Sequence, residues 1–228
     1  MSEYIEIHCR SGMYELYGYY QDRGSDHTLV LIPGSFSSHQ VWRPVVAGAD
    51  IKANLFLVEL PGFGKSTPHN PQGTLEEFTL LILDLINYAE IDRFVIGGHS
   101  IGGMMAIDML DYATDRLDGV ISCEGWTHYS VELNAFRGLK NETLTEEQLA
   151  RRKYYTDLGR AYWSETDKED RSYSRIFKQW NKGWRLLSES TIPVFEIWGD
   201  RGLSDVPDRN LMLIPDRPNI RLDWVDNG

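Results

Sequence analysis

Cysteine is scarce in this chain of 228 residues, which contains only Cys9 and Cys123. A disulfide framework needs several paired cysteines, and a zinc site needs cysteine and histidine clustered at short spacing. Neither pattern is present, so we expect no metal, and no other motif implies a cofactor. Cys123 falls in an apolar segment, for which we predict a strand and a buried thiol.

Long apolar runs are also missing. No segment approaches the roughly 20 apolar residues that a membrane-spanning helix requires. Residues 1–6 lack both the basic start and the apolar stretch of a secretory signal peptide. From these absences we expect a cytoplasmic protein that has no membrane partner.

Positive charge is in short supply, because 23 lysines and arginines stand against 34 aspartates and glutamates, for a formal net charge of −11. This balance argues against nucleic acid as a partner. The length suits one domain with a sizeable core and a small insertion. A small-molecule substrate is therefore the expected partner.

Strands alternate with helices through most of the chain. Thr74 is a favourable N-cap for a helix over 75–90, whose apolar residues recur at helical spacing. This alternation predicts an α/β fold with a mostly parallel, doubly wound sheet, in which an antiparallel pair forms one edge. The predicted strands cover residues 4–9, 13–20, 28–32, 54–60, 93–97, 118–123, 192–198 and 220–225.

The segment Gly98-His99-Ser100-Ile101-Gly102 lies between a predicted strand and a predicted helix. A G-x-S-x-G turn at such a junction exposes the serine hydroxyl at the end of a sheet, beside a helix N-terminus. Glycine is needed because the turn is tight and neighbouring backbone approaches closely. We therefore predict that Ser100 is a nucleophile that attacks an ester or a related acyl carbonyl and forms an acyl-enzyme.

Residues 127–190 interrupt the alternation, because this stretch is long, polar and helix-prone. We interpret it as a helical cap over the carboxyl ends of the strands, where ligands bind in open α/β sheets. Residues 1–126 and 191–228 then form one discontinuous core domain. We assign His99, Trp126 and His128, which adjoin the nucleophile or open the cap, to the substrate pocket.

Four segments, in order, resemble motifs of the α/β-hydrolase fold family. Residues 31–38, followed by Trp42, are similar to the family's oxyanion loop, with Pro33 in place of the usual histidine. Residues 59–66 resemble its glycine-containing loop after a strand. Residues 98–103 resemble its nucleophile elbow, and 193–200 the strand before the usual acid.

The resemblance implies the α/β-hydrolase fold with a cap, and an oxyanion hole made of backbone N–H groups. The donors would be Ile101 and either Ser35 or Phe36. Because this fold hosts many substrates, the motifs are less specific for the substrate than for the fold. A small carboxylic ester is the expectation.

The sequence offers more than one carboxylate that could be the acid of this catalytic group. Many family members carry it three residues after the glycine that corresponds to Gly199, but here that position is Gly202. Other members place it one strand earlier, where Glu124 follows an apolar segment. We favour Glu124, with Asp200 as the alternative and Asp205 as a further one.

A histidine base completes this chemistry, and in this order of motifs it follows the acid. The last of the six histidines is His128, well before the final predicted strand. The resemblance implies a histidine and a last helix after that strand, so we expect the natural chain to continue past Gly228. His128 is the internal substitute. The alternative function is a catalytically inactive family member that serves as a ligand-binding or scaffold protein.

Overall fold

One sheet forms the centre of the protein. The computed structural model describes residues 3–69, 71–131, 145–160, 179–200, 205–226 and 228. Within these ranges the strands are β1 (Ile5–Ser11), β2 (Tyr14–Gln21), β3 (Thr28–Ile32), β4 (Asn54–Val58), β5 (Phe94–His99), β6 (Leu117–Cys123), β7 (Val194–Gly199) and β8 (Ile220–Val225).

The eight strands lie in the order β1-β2-β4-β3-β5-β6-β7-β8. β1 pairs with β2, and β2 with β4, in antiparallel fashion. The remaining pairs are parallel. This arrangement confirms the predicted α/β class, with the antiparallel pair at one edge.

The described helices connect these strands. They are α1 (Trp42–Ala47), α2 (Leu75–Tyr88), α3 (Ile101–Asp108), α4 (Glu146–Arg160) and α5 (Gly183–Glu189). Short 3₁₀ turns cover His39–Val41, Met109–Asp111, Thr114–Arg116 and Tyr129–Val131. None of the helices in the described ranges is both long enough and apolar enough to cross a lipid bilayer.

A capping box starts α2. The Glu77 backbone N–H donates to Thr74 Oγ1 at 3.2 Å, and the Thr74 N–H donates to the Glu77 carboxylate at 2.7 Å. The predicted N-cap at Thr74 is confirmed. Thr145 and Gln148 exchange the same pair of bonds, at 2.8 and 3.2 Å, before α4.

The apolar core lies mainly on one face of the sheet, where α2, α3 and α5 pack. Every residue of α3 is buried, as expected for a helix that is apolar on all sides. Leu186 and Leu187 of α5 belong to this core, and Trp180 Nε1 donates to the buried Asp108 of α3 at 2.9 Å. The end of the predicted cap segment therefore packs onto α3, whereas α4 lies at the carboxyl ends of the strands.

Candidate active site

Ser100 links β5 to α3 in a strained backbone conformation. Its φ is 54° and its ψ is −119°, a combination that side-chain-bearing residues rarely adopt. Its N–H donates to the Cys123 carbonyl of β6 at 2.8 Å. This hydrogen bond fixes Ser100 at the carboxyl end of the sheet, beside the N-terminus of α3.

Close backbone packing explains the glycines around Ser100. A Cβ atom on Gly98 would overlap the backbone carbonyl of Gly102. A Cβ on Gly102 would lie 2.5 Å from the Ile32 carbonyl oxygen. The tight turn therefore requires glycine at position 98, and its close approach to the end of β3 requires glycine at position 102.

A cavity of about 670 Å³ opens at Ser100. One wall comes from the loop and helix after β3, including Phe36 and Trp42, and His99 and Cys123 form the wall at the strand ends. The opposite wall consists of Arg152, Tyr155 and Thr156, which share one face of α4 because they are three and four residues apart. The cavity thus lies between the carboxyl ends of the strands and α4.

Backbone donors are available at this cavity. Ser35 and Phe36 line it, and the Ser35 N–H has no hydrogen-bond partner among the described residues. Phe36 has a left-handed φ of 59°, and its ring packs edge-on against Phe63 at 5.7 Å. Ile101 is the first residue of α3, so its N–H has no partner within the helix. Donors of this kind can hold an oxyanion.

Two of the candidate acids lie at the ends of neighbouring strands. Glu124 follows β6 with a left-handed φ of 55°, and its Oε1 accepts a hydrogen bond from the Gly199 N–H at 3.0 Å. Asp200 follows β7, and its N–H donates to the Val225 carbonyl at 3.0 Å. Asp205 is exposed. Residues 201–204, which include the glycine at the family's usual acid position, lie outside the described residues.

His99, which precedes the nucleophile, has its side chain in the cavity wall. Solvent in the cavity reaches the imidazole, but protein surrounds it on its other sides. This burial lowers the pKa of His99, and the negative charge of Glu124 opposes the shift. Its side chain also limits the loop after β3, because a Cβ on Gly34 would lie 2.8 Å from His99 Nδ1.

Trp126 and His128, the other two predicted pocket residues, are not among the described residues that line this cavity. Trp126 is buried and belongs to the main core. The His128 ring packs against Tyr129 at 4.3 Å, and its Nδ1 is hydrogen-bonded with Ser130 Oγ at 2.7 Å. Both side chains therefore have local packing roles in this structure.

The remaining histidines are engaged elsewhere. His8 stacks on Tyr17, His27 lies 3.9 Å from Asp118, His39 contacts Glu59, and His69 lies 3.2 Å from the Gly62 carbonyl. In the described part of the chain, none of the six histidines hydrogen-bonds to Ser100. The same part contains no group of three or more acidic, histidine or cysteine side chains able to hold a metal ion.

Sequence reasoning predicted a helical cap here but did not assign Arg152, Tyr155 or Thr156 of α4, or Cys123, to the cavity. Burial raises the pKa of Cys123 to about 11, and the charges of Glu196 and Glu124 add to the shift. The signal for α4 was weak, because the helix is polar overall and shows no clear apolar face. Arg152, Tyr155 and Thr156 become neighbours only through the helical spacing.

Comparison with known proteins identifies the family. Residues 27–152 match the model of the alpha/beta hydrolase fold family. A pimeloyl-[acyl-carrier protein] methyl ester esterase of Photorhabdus laumondii is 29% identical over 141 residues, which are 61% of this chain and 51% of that protein. The same enzyme of Edwardsiella ictaluri is 29% identical over 116 residues, 51% of this chain and 43% of that protein. The chain thus matches about half the length of these relatives.

A solved structure shows the same fold over a longer range. The enol-lactonase from Burkholderia xenovorans superimposes with a TM-score of 0.73 and 20% identity, and the match covers 96% of this chain and 90% of that one. At this identity the likeness concerns the fold alone. Because the family model covers more than half of the sequence and the sheet has the corresponding architecture, the chain belongs to the α/β-hydrolase fold family.

Proposed function

We propose that this protein is a serine hydrolase that cleaves a small carboxylic ester through an acyl-enzyme at Ser100. The observation that carries the proposal is the strained backbone of Ser100 at the β5–α3 junction, inside a cavity and beside backbone donors. Relatives named as methyl ester esterases support an ester as the bond that is cleaved. They support no particular acid or alcohol for this chain.

In the proposed reaction, Ser100 Oγ attacks the ester carbonyl and its proton passes to a base. The carbonyl oxygen becomes an oxyanion that the N–H groups of Ile101 and of Ser35 or Phe36 bind. Collapse breaks the bond to the alcohol, which leaves with the proton from the base. Water then attacks the acyl-enzyme by the same route, which releases the acid and restores Ser100.

We assign the acid of this reaction to Glu124. Its carboxylate is oriented by the bond from the Gly199 N–H, and it is close enough to affect the titration of His99 in the cavity wall. An acid in this position can fix the tautomer of a histidine base and stabilise the imidazolium. Asp200, at the next strand end, is the alternative.

The proposed mechanism needs a histidine base beside Glu124 and Ser100. Gly228 lies against Gly199, since a Cβ added to Gly199 would lie 2.5 Å from the Gly228 carbonyl carbon. A histidine held at this edge would lie next to Gly199, whose N–H donates the hydrogen bond to the Glu124 carboxylate. We propose this edge as the place of the base, and α4 as the part of the cap that closes the substrate cavity.

The second candidate is a catalytically inactive protein that binds a ligand in the same cavity. The observation in its favour is that the six histidines leave Ser100 without a hydrogen-bonded base in the described part of the chain. The cavity itself would be retained in such a protein.

Labelling with a fluorophosphonate, followed by mass spectrometry of the modified peptide, tests the proposal. The 228-residue chain and a form that includes any residues its gene encodes after Gly228 are compared, with Ser100→Ala as the control. Labelling at Ser100, lost in Ser100→Ala and accompanied by ester hydrolysis, is the expected result. Absence of labelling in both forms would favour the ligand-binding candidate.

A further inference from the structure

A buried pair of side chains, Glu59 and His39, lies behind the loop that carries the proposed oxyanion donors. Glu59 follows β4, and His39 begins the 3₁₀ turn after residues 33–38. Their exposed fractions are 0% and 1%. Neither residue lines the cavity at Ser100, so neither can touch a substrate there.

Two hydrogen bonds connect the pair. The His39 backbone N–H donates to Glu59 Oε2 at 3.3 Å, and the His39 ring Nδ1 donates to Glu59 Oε1. The Gln40 side-chain amide donates to His39 Nε2 at 2.8 Å. Because Nε2 accepts this bond, the proton of the neutral imidazole is on Nδ1. The Nδ1–H group therefore donates the hydrogen bond that the Glu59 carboxylate accepts.

The surroundings leave this pair little freedom. The Tyr19 ring stacks on the His39 ring with centroids 3.7 Å apart. A Cβ on Gly64 would lie 2.8 Å from Glu59 Oε1, so the turn after β4 packs directly on the carboxylate. Burial raises the pKa of Glu59, while the hydrogen bonds from His39 oppose that shift.

The loop between β3 and His39 is held at both ends. At its start, β3 pairs with β4 and β5. At its end, Glu59 binds both the backbone and the ring of His39. Between these points lie Ser35 and Phe36, and Phe36 is also held by Phe63 from the loop that follows Glu59.

We infer that Glu59 and His39 are positioning residues that set the orientation of the Ser35 and Phe36 N–H groups toward the oxyanion. The inference rests on the proposed serine hydrolase activity. A donor displaced by about 1 Å can reduce a rate on the order of 100-fold, although every reacting group remains present. The pair therefore affects the rate of the chemical step more than substrate binding.

Two variants, Glu59→Gln and His39→Gln, test this role, with Glu196→Gln as the matched control. Glu196 is a second carboxyl with 0% exposure, on β7, and it does not contact the loop. We expect each test variant to lower kcat for a p-nitrophenyl ester by about tenfold or more at nearly unchanged KM. The double variant should lower kcat about as much as the more damaging of the two single variants, because both variants remove the same interaction. Glu196→Gln should keep the wild-type kcat at neutral pH.

Folded test variants with wild-type kcat would overturn the inference, as would equal losses in Glu196→Gln. If either test variant fails to fold, Gln40→Ala replaces it, because this change keeps both buried partners and removes the bond to Nε2. A decrease in kcat of about threefold is then expected, and no decrease would count against the pair.

A second measurement separates this inference from the proposed function. Amide hydrogen exchange in residues 34–38 should accelerate in His39→Gln relative to wild type, while exchange in α3 stays the same. This readout needs no turnover. A wild-type protein that is inactive both as the 228-residue chain and in the longer form would contradict the hydrolase proposal, yet the exchange measurement on the loop could still be interpreted. Unchanged exchange in residues 34–38 would contradict the positioning of the loop.

Discussion

The Gly199 backbone N–H donates a hydrogen bond of 3.0 Å to Oε1 of Glu124, so the end of β7 holds a carboxylate that follows β6. The Glu124 N–H in turn donates to the Ile197 carbonyl at 2.8 Å. The orientation of this side chain is therefore fixed by the pairing of two parallel strands. A mechanism that uses Glu124 as its acid benefits from this orientation, because the acid must hold an imidazole in one tautomer.

Glu124→Gln should reduce kcat for ester hydrolysis by about 10⁴-fold, because the amide cannot stabilise an imidazolium. Asp200→Asn, at the neighbouring strand end, should reduce it by less than about tenfold. Steady-state kinetics of both variants decide the assignment. The opposite order of effects would move the acid to Asp200.

Gly102→Ala should destabilise the protein by about 3 kcal/mol, because its Cβ would lie 2.5 Å from the Ile32 carbonyl oxygen. Helix propensity alone would favour alanine there by about 1 kcal/mol, so the sign of the effect is diagnostic. Gly119→Ala in β6 is the control, since the nearest atom to its Cβ is 3.6 Å away. Urea denaturation of both variants measures the difference, and equal stabilities would contradict the close packing.

Glu196→Gln should stabilise the protein increasingly as the pH rises. Burial raises the pKa of Glu196 to about 8 from its ordinary value of 4.5. Ser122 and Trp198 are its nearest polar side chains, but in the described structure neither carboxylate oxygen completes a hydrogen bond. The neutral acid is therefore the form that the folded protein prefers.

The sign follows from the two states. Unfolded Glu196 loses its proton near pH 4.5, whereas the folded protein retains it until about pH 8. The stability linked to this proton is present below pH 4.5 and is lost as the pH rises to 8, on the order of a few kcal/mol in total. Denaturant unfolding at pH 5 and pH 9 measures the gain from glutamine, which should be larger at pH 9. An identical gain at both values would contradict the raised pKa.

Cys123 should react slowly with iodoacetamide although it lines the cavity. Burial raises its pKa to about 11 from the ordinary value of 9.0, so the reactive thiolate at pH 8 is about 100-fold rarer than in an ordinary thiol. A Cys9→Ser background isolates the signal of Cys123, and mass spectrometry follows alkylation between pH 7 and pH 10. Rapid alkylation at pH 7 would contradict the raised pKa of the Cys123 thiol.

Local signals in the sequence predicted most of the fold correctly. The alternation of strands and helices and the N-cap at Thr74 depend on residues that are close in the chain, and the structure contains both. The turn at Ser100 was predictable for the same reason, since Gly98 and Gly102 lie within two residues of it.

Contacts between distant segments could not be predicted in this way. Tyr155 meets the cavity only because α4 folds back over the strand ends, and no spacing in the sequence encodes that contact. The bond between Glu59 and His39 joins two loops that the parallel pairing of β3 and β4 brings together. Trp180 lies in the segment predicted to form the cap, but its indole N–H donates a hydrogen bond to the buried carboxylate of Asp108 on α3.

At Ser100, the backbone conformation that lowers the stability of the folded protein is the same one that presents the proposed nucleophile. A φ of 54° with a ψ of −119° costs on the order of 1–3 kcal/mol in any residue with a side chain. Glycine would relieve this cost, so the most stable sequence for this turn is one without a nucleophile. Ser100→Gly should therefore raise the free energy of unfolding while it removes the hydroxyl on which the proposed reaction depends.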